Sequence, residues 1–76
     1  MIVRRAEYRN LTNGMVHTVE LVSDLIGGET LYGVSLNQRN PTVWNVRRDT
    51  AEKRYAKLMV HYASNGYVLN FEVEKE

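Results

Sequence analysis

The sequence predicts a small α+β domain: an antiparallel or mixed β-sheet of four to five strands, in the order ββ(β)βαβ, with one amphipathic helix packed on one face. Three observations predict it. Residues 2 to 22 alternate with a period of two about an Asn13-Gly14 turn, residues 50 to 64 repeat apolar side chains at helical spacing, and residues 67 to 74 return to strict alternation. Seventy-six residues hold one hydrophobic core, so residues 1 to 76 are read as a single domain with no linker, repeat or low-complexity tract.

In the first segment Ile2, Arg4, Ala6 and Tyr8 alternate with Val3, Arg5, Glu7 and Arg9, the pattern of a half-buried strand. After the turn, Met15, His17, Val19 and Leu21 alternate with Val16, Thr18, Glu20 and Val22. A tight turn at Asn13-Gly14 places Glu7 opposite Glu20, which like charges disfavour. A four-residue loop, Leu11 to Gly14, places Arg5 opposite Glu20 and Ala6 opposite Val19, and is the expected register.

Ser23-Asp24 and Gly27-Gly28 are expected to bracket a second turn. A third strand over 30 to 37 then offers Tyr32, Val34 and Leu36 to one face. A polar loop around the only proline, Pro41, leads to Val43-Trp44-Asn45-Val46, a fourth strand or an edge. Asp49-Thr50-Ala51-Glu52 has the spacing of a capping box, with Asp49 or Thr50 as the cap. At about 100° per residue, Ala51, Tyr55, Leu58, Met59 and Tyr62 share an inward face, and Lys53, Arg54, Lys57, His61 and Ser64 point outward. Asn65-Gly66 supplies a left-handed helix end. In the last strand Tyr67, Leu69, Phe71 and Val73 oppose Val68, Asn70, Glu72 and Glu74, and helix and last strand together are expected to anchor the fold. One helix covers one side of the sheet, which leaves Val3, Arg5, Glu7, Arg9, Val16, Thr18, Glu20 and Val22 on the other.

The net charge of +1 excludes a strongly basic nucleic-acid packager and a polyanion mimic, so any electrostatic role is local. No apolar stretch reads as a secretion signal or membrane span, because Arg4-Arg5 follow Met1-Ile2-Val3 and His61 stops the run Leu58-Met59-Val60. The absence of cysteine excludes thiol chemistry and Cys-based metal sites and fits a cytoplasmic location. A start at Met1 and a short tail after the last strand read as a complete short chain.

The strongest local imbalance lies in residues 39 to 57, where Arg39, Arg47, Arg48, Lys53, Arg54 and Lys57 face only Asp49 and Glu52. Lys53, Lys57 and His61 follow at steps of four with Arg54 beside them, and Arg47-Arg48 precede the helix near Trp44. Trp44, Arg47, Arg48, Lys53, Arg54, Lys57 and His61 are therefore the candidate binding residues, for a protein partner or for nucleic acid. The plainer account is the solvated side of an amphipathic helix. Trp44 serves equally as a core plug or a partner anchor, with the core favoured. All five tyrosines fall on inward faces, which weakens a stacking platform of the RRM kind.

His17 and Glu20 point to opposite faces of a strand, His61 has no carboxylate near it on the helix, and Gly27-Gly28 lacks any phosphate-loop context. No catalytic, cofactor or metal residue is assigned. The expectation is a non-enzymatic interaction or regulatory protein that binds another protein or a second copy of itself through the uncovered sheet side or an edge strand. The alternative is a weak nucleic-acid-binding module using the basic helix face, residues 47 to 61.

Overall fold

A computed structural model describes residues 1 to 75. It has strands β1 (Ile2–Asn10), β2 (Val16–Ile26), β3 (Glu29–Leu36) and β4 (Tyr67–Glu74), with one helix, α1 (Arg48–Ser64), between β3 and β4. The strands form one antiparallel sheet in the order β3-β2-β1-β4, and α1 lies across one face. The α+β class and the element order are those expected from the alternation.

Pairing of β1 with β2 sets Arg5 opposite Glu20 and Ala6 opposite Val19. The intervening loop closes where the Asn10 amide donates to the Met15 carbonyl at 2.8 Å, with Gly14 at φ 73°. The second hairpin is tighter than expected. β2 runs unbroken through Ser23 and Asp24 to Ile26, and Gly27-Gly28 alone make the turn, with φ 60° and 82°. Two successive left-handed residues match the twist of the flanking strands, so Ser23-Asp24 has no turn to form.

The core joins Val3, Ala6, Tyr8, Val19 and Leu21 of the sheet to Ala51, Tyr55 and Tyr62 of α1. Tyr32, Val34, Leu58, Met59 and Tyr67 pack around it half-buried. The inward helical face is thus as the spacing predicts. Each large side chain buried there contributes roughly 1.5 to 3 kcal/mol before ordering entropy is subtracted.

Bulges and edge position overturn further expectations. Val3 belongs to the core and not to the open side, because a bulge between Ile2 and Arg4 adds one residue opposite Leu21 and turns Val3 inward. Strict alternation in β4 also fails. Glu7 pairs with Phe71 but Tyr8 with Leu69, so Asn70 is the extra residue, and Glu72 lies on the helix side with its neighbours Phe71 and Val73 opposite. β4 is an edge strand exposed from Val68 onward, so it does not anchor the fold as expected.

Neither Asp49 nor Thr50 caps the helix. The N-cap is Arg47, without a side-chain cap bond. Tyr32 and Asn45 exchange backbone bonds at 2.7 Å each, which fixes the chain just ahead of α1 and lets the helix begin at Arg48. Asp49 then lies in the first turn, and Glu52 accepts from Arg48 Nε at 2.6 Å instead of reaching back to the cap. The segment 43 to 46 forms this single bridge and no strand. The helix ends as the sequence suggests, with Asn65 N–H donating to Tyr62 O and Gly66 at φ 82°.

Candidate binding groove

The connection from β3 to α1 determines where charge collects. It leaves Leu36 through Asn37 and Gln38, both left-handed at φ 51° and 64°, and closes on an Arg39 N–H to Leu36 O bond of 3.0 Å. Ser35 Oγ donates to Arg39 O at 2.6 Å. Gly33 then admits the returning chain. A Cβ at Gly33 would lie 2.8 Å from Pro41 Cβ and 3.1 Å from the Val43 carbonyl oxygen, so only glycine lets this loop lie so close. Glu20, Gly33 and Ser35 are buried beneath it on the sheet side away from α1. One part of the uncovered side is therefore covered by the chain itself, while Val16, Val68, Phe71 and Val73 stay partly exposed.

Between this loop, β3 and α1 lies a groove of about 450 Å³. Val34 and Leu36 of β3, Leu58 of α1 and Pro41 supply its apolar lining. Arg39 enters from the loop, and Arg54 and Lys57 from successive turns of the helix. No carboxylate among the described residues pairs with any of these three cations. Three unpaired positive groups around an apolar floor attract an anionic ligand electrostatically and give its hydrocarbon portion a surface to cover.

The candidate binding residues do not form one surface. Arg54 and Lys57 line the groove. Lys53 flanks it on the outer helix face, where Lys53, Ala56, Lys57 and Val60 border a shallow apolar hollow of about 390 Å³. Arg47 and Arg48 are drawn off by acids: Arg47 Nη2 lies 3.2 Å from Asp49, and Arg48 pairs with Glu52. His61 sits further along α1, its ring 5.9 Å from that of Tyr62 and its carbonyl accepting from Asn65 at 2.6 Å. Trp44 is half-buried and lines a separate hollow of about 290 Å³ that also holds Glu20 and Asp24. Arg39, Asn40 and Pro41 line both hollows, so Trp44 shares its hollow with Arg39 but not with Arg54 or Lys57.

Arg39 lies outside the helix pattern and is not among the candidate binding residues. Its signal was present in the charge count of residues 39 to 57, but its approach to Arg54 depends on the loop folding back over Gly33. A second constellation gathers tyrosines that the sequence places on inward faces and adds His17 to them. Tyr8 and Tyr62 stack at 5.3 Å, Tyr62 meets Tyr67 edge-on at 4.9 Å, and His17 lies against both Tyr62 and Tyr67. Burial raises the Tyr55, Tyr8 and Tyr62 hydroxyls above the ordinary tyrosine range, and the Glu72 carboxylate adds to this at Tyr55 and Tyr8.

Among the described residues no three His, Asp or Glu side chains are grouped to hold a metal ion, and no helix is long and apolar enough to cross a membrane. Comparison of the chain with protein-family models, with curated proteins and with solved structures finds no match in any of the three.

Proposed function

We propose that the protein is a non-enzymatic interaction protein whose groove between α1, β3 and the 39 to 42 loop binds an acidic, partly apolar segment of a partner protein. The observation that supports this is the convergence of Arg39, Arg54 and Lys57, none with a carboxylate partner among the described residues, on Val34, Leu36 and Leu58. Surface cations are ordinarily interspersed with acids, as at Arg47 and Arg48 of this same chain. A cluster left without them favours an anion from outside, and an apolar lining favours a ligand with hydrocarbon between its charges. A cytoplasmic setting belongs to the same proposal and rests on the absence of cysteine.

Nucleic acid is the competing occupant. Its support is weakened by the pairing of Arg47 and Arg48 with acids and by the groove lining, which holds no aromatic ring; Trp44 is half-buried in the neighbouring hollow that Arg39 also borders. The test is a fluorescence-anisotropy titration with two probes, a peptide of alternating Glu and Leu and a single-stranded oligonucleotide of similar length. The peptide should bind more tightly than the oligonucleotide at each salt concentration between about 50 and 200 mM; salt weakens both, because both use the cations, but apolar contacts make the peptide's fall the shallower. Binding of the oligonucleotide alone would assign the groove to nucleic acid, and an Arg39→Glu/Arg54→Glu protein that binds the peptide like the parent would remove the groove from the account.

A further inference from the structure

His17 and Asn37 meet where the groove wall leaves the sheet. The backbone orients the Asn37 amide: Thr18 N–H donates to Asn37 Oδ1 at 3.0 Å, which turns Nδ2 toward His17 at 3.2 Å from Nδ1. An amide nitrogen only donates, so Nδ1 must be the bare, accepting nitrogen, and the neutral ring carries its proton on Nε2. Nε2 lies 3.4 Å from the Tyr67 hydroxyl. Asn37 N–H in turn donates to Thr18 O at 2.8 Å, so Asn37 clasps β2 with both its backbone and its side chain.

A proton added at Nδ1 sets two N–H groups against each other. Rotation of the amide gives no relief, because it would bring Nδ2 against the Thr18 N–H. The other acceptor within reach is the Tyr62 hydroxyl oxygen, 3.4 Å from Nδ1. The ring is faced by Tyr8 across the strand pair on β1, by Tyr62 of α1 and by Tyr67 of β4. His61 touches Tyr62 but not His17, and no carboxylate among the described residues pairs with the ring. Protonation therefore exchanges one partner for another: Nδ1 stops accepting from Asn37 and donates to Tyr62.

We propose that His17 is a proton-operated latch on the loop that carries Arg39. The neutral ring holds Asn37 in its left-handed conformation against β2, and two residues later the chain places Arg39 at the groove. Protonated His17 breaks the Nδ2 contact while both bonds to Thr18 remain, so the wall loses one of the three ties that hold Asn37 to β2 and loosens. The latch stands independently of what the groove binds. Its effect on affinity rests on the proposed groove.

The experiment is an NMR titration from neutral to acidic pH that protonates the His17 ring. It follows the His17 ring, the Thr18 and Arg39 amides and the Asn37 side-chain amide. In the parent protein all should move with one midpoint, and should do so equally in His61→Gln. In His17→Phe, which keeps an aromatic ring, the Thr18 and Asn37 signals should stay still. Asn37→Asp provides the second variant: a carboxylate accepts from Thr18 N–H and from an Nδ1–H together, so acidification should tighten the loop where it loosens the parent. Thr18 and Asn37 signals that ignore the His17 titration, or that still move in His17→Phe, would overturn the latch. Signals that move as expected while Glu/Leu-peptide affinity stays constant would keep the latch and overturn its coupling to the groove.

Discussion

The Tyr55 hydroxyl donates to Glu72 Oε2 across 3.1 Å, joining a fully buried helix side chain to the exposed edge strand β4. Arg4 Nη2 reaches the same oxygen at 2.6 Å, and its guanidinium lies 4.9 Å from the centre of the Tyr55 ring. Glu72 is thus held from α1 and from β1 at once. β4 buries little apolar surface of its own, so this polar junction adds a side-chain tie to the backbone ladder that pairs the edge strand with β1.

Tyr55→Phe keeps the ring and removes only the bond to Glu72. Urea unfolding should show a loss of about 1 kcal/mol, the ordinary scale for one hydrogen bond. Tyr55→Ala should cost about 3 to 5 kcal/mol, as large aromatic deletions in cores do. Amide exchange in Tyr55→Phe should rise in β4 and hardly change in β2 and β3. Equal acceleration in all four strands would contradict the local tie.

Gly33→Ala tests the close approach of the loop. A Cβ at 2.8 and 2.9 Å from two ring atoms of Pro41 forces the loop outward. The expected loss is about 1 to 3 kcal/mol, the usual cost of overpacking, together with weaker peptide binding because Arg39 moves with the loop. Unchanged stability and unchanged binding would show that the loop does not need Gly33.

Alkaline pH should destabilise the protein through its buried tyrosines. The Tyr8, Tyr55 and Tyr62 hydroxyls are raised in the folded chain, by burial first in each case. A raised folded value means that the folded state holds the proton more tightly, so this stability is fully present below the unfolded tyrosine value of about 10 and is lost as pH rises beyond it. Ultraviolet titration of phenolate should show a late fraction whose ionisation coincides with the loss of helical circular dichroism. Ionisation of all five tyrosines in one early step with the helix intact would contradict it.

Much of this architecture is legible in the sequence because it follows from periodicity and charge. Repulsion in a Glu7–Glu20 pair disfavours the tight turn and points to a four-residue loop at Leu11 to Gly14, and Arg5 does face Glu20. The inward helix face followed from spacing alone, since Ala51, Tyr55 and Tyr62 are separated by steps that return to one side. What escaped is set by single-residue shifts and long-range closure. Bulges at Val3 and Asn70 each move side chains across the sheet, and no local pattern marks where an extra residue is inserted. The helix start moved because Asn45 bonds to Tyr32, a contact that a capping motif read locally does not contain. The groove escaped in part for the same reason, since Arg39 meets Arg54 and Lys57 only after the loop has crossed Gly33.

Charge reversal separates binding from folding. Arg39→Glu/Arg54→Glu removes two unpaired cations and breaks no ion pair among the described residues. Its unfolding free energy should stay within about 0.5 kcal/mol of the parent, as surface substitutions do, while affinity for an acidic peptide falls about tenfold or more. The matched reversal Arg47→Glu should weaken binding much less, because Asp49 already offsets that charge.

Chemical-shift mapping with the Glu/Leu peptide tests the groove most directly. The largest perturbations should fall on Val34, Leu36, Arg39 to Thr42 and Arg54 to Leu58, and should vanish in Arg39→Glu/Arg54→Glu. Perturbations centred instead on Val16, Val68, Phe71 and Val73, or none at all at saturating peptide, would contradict the account.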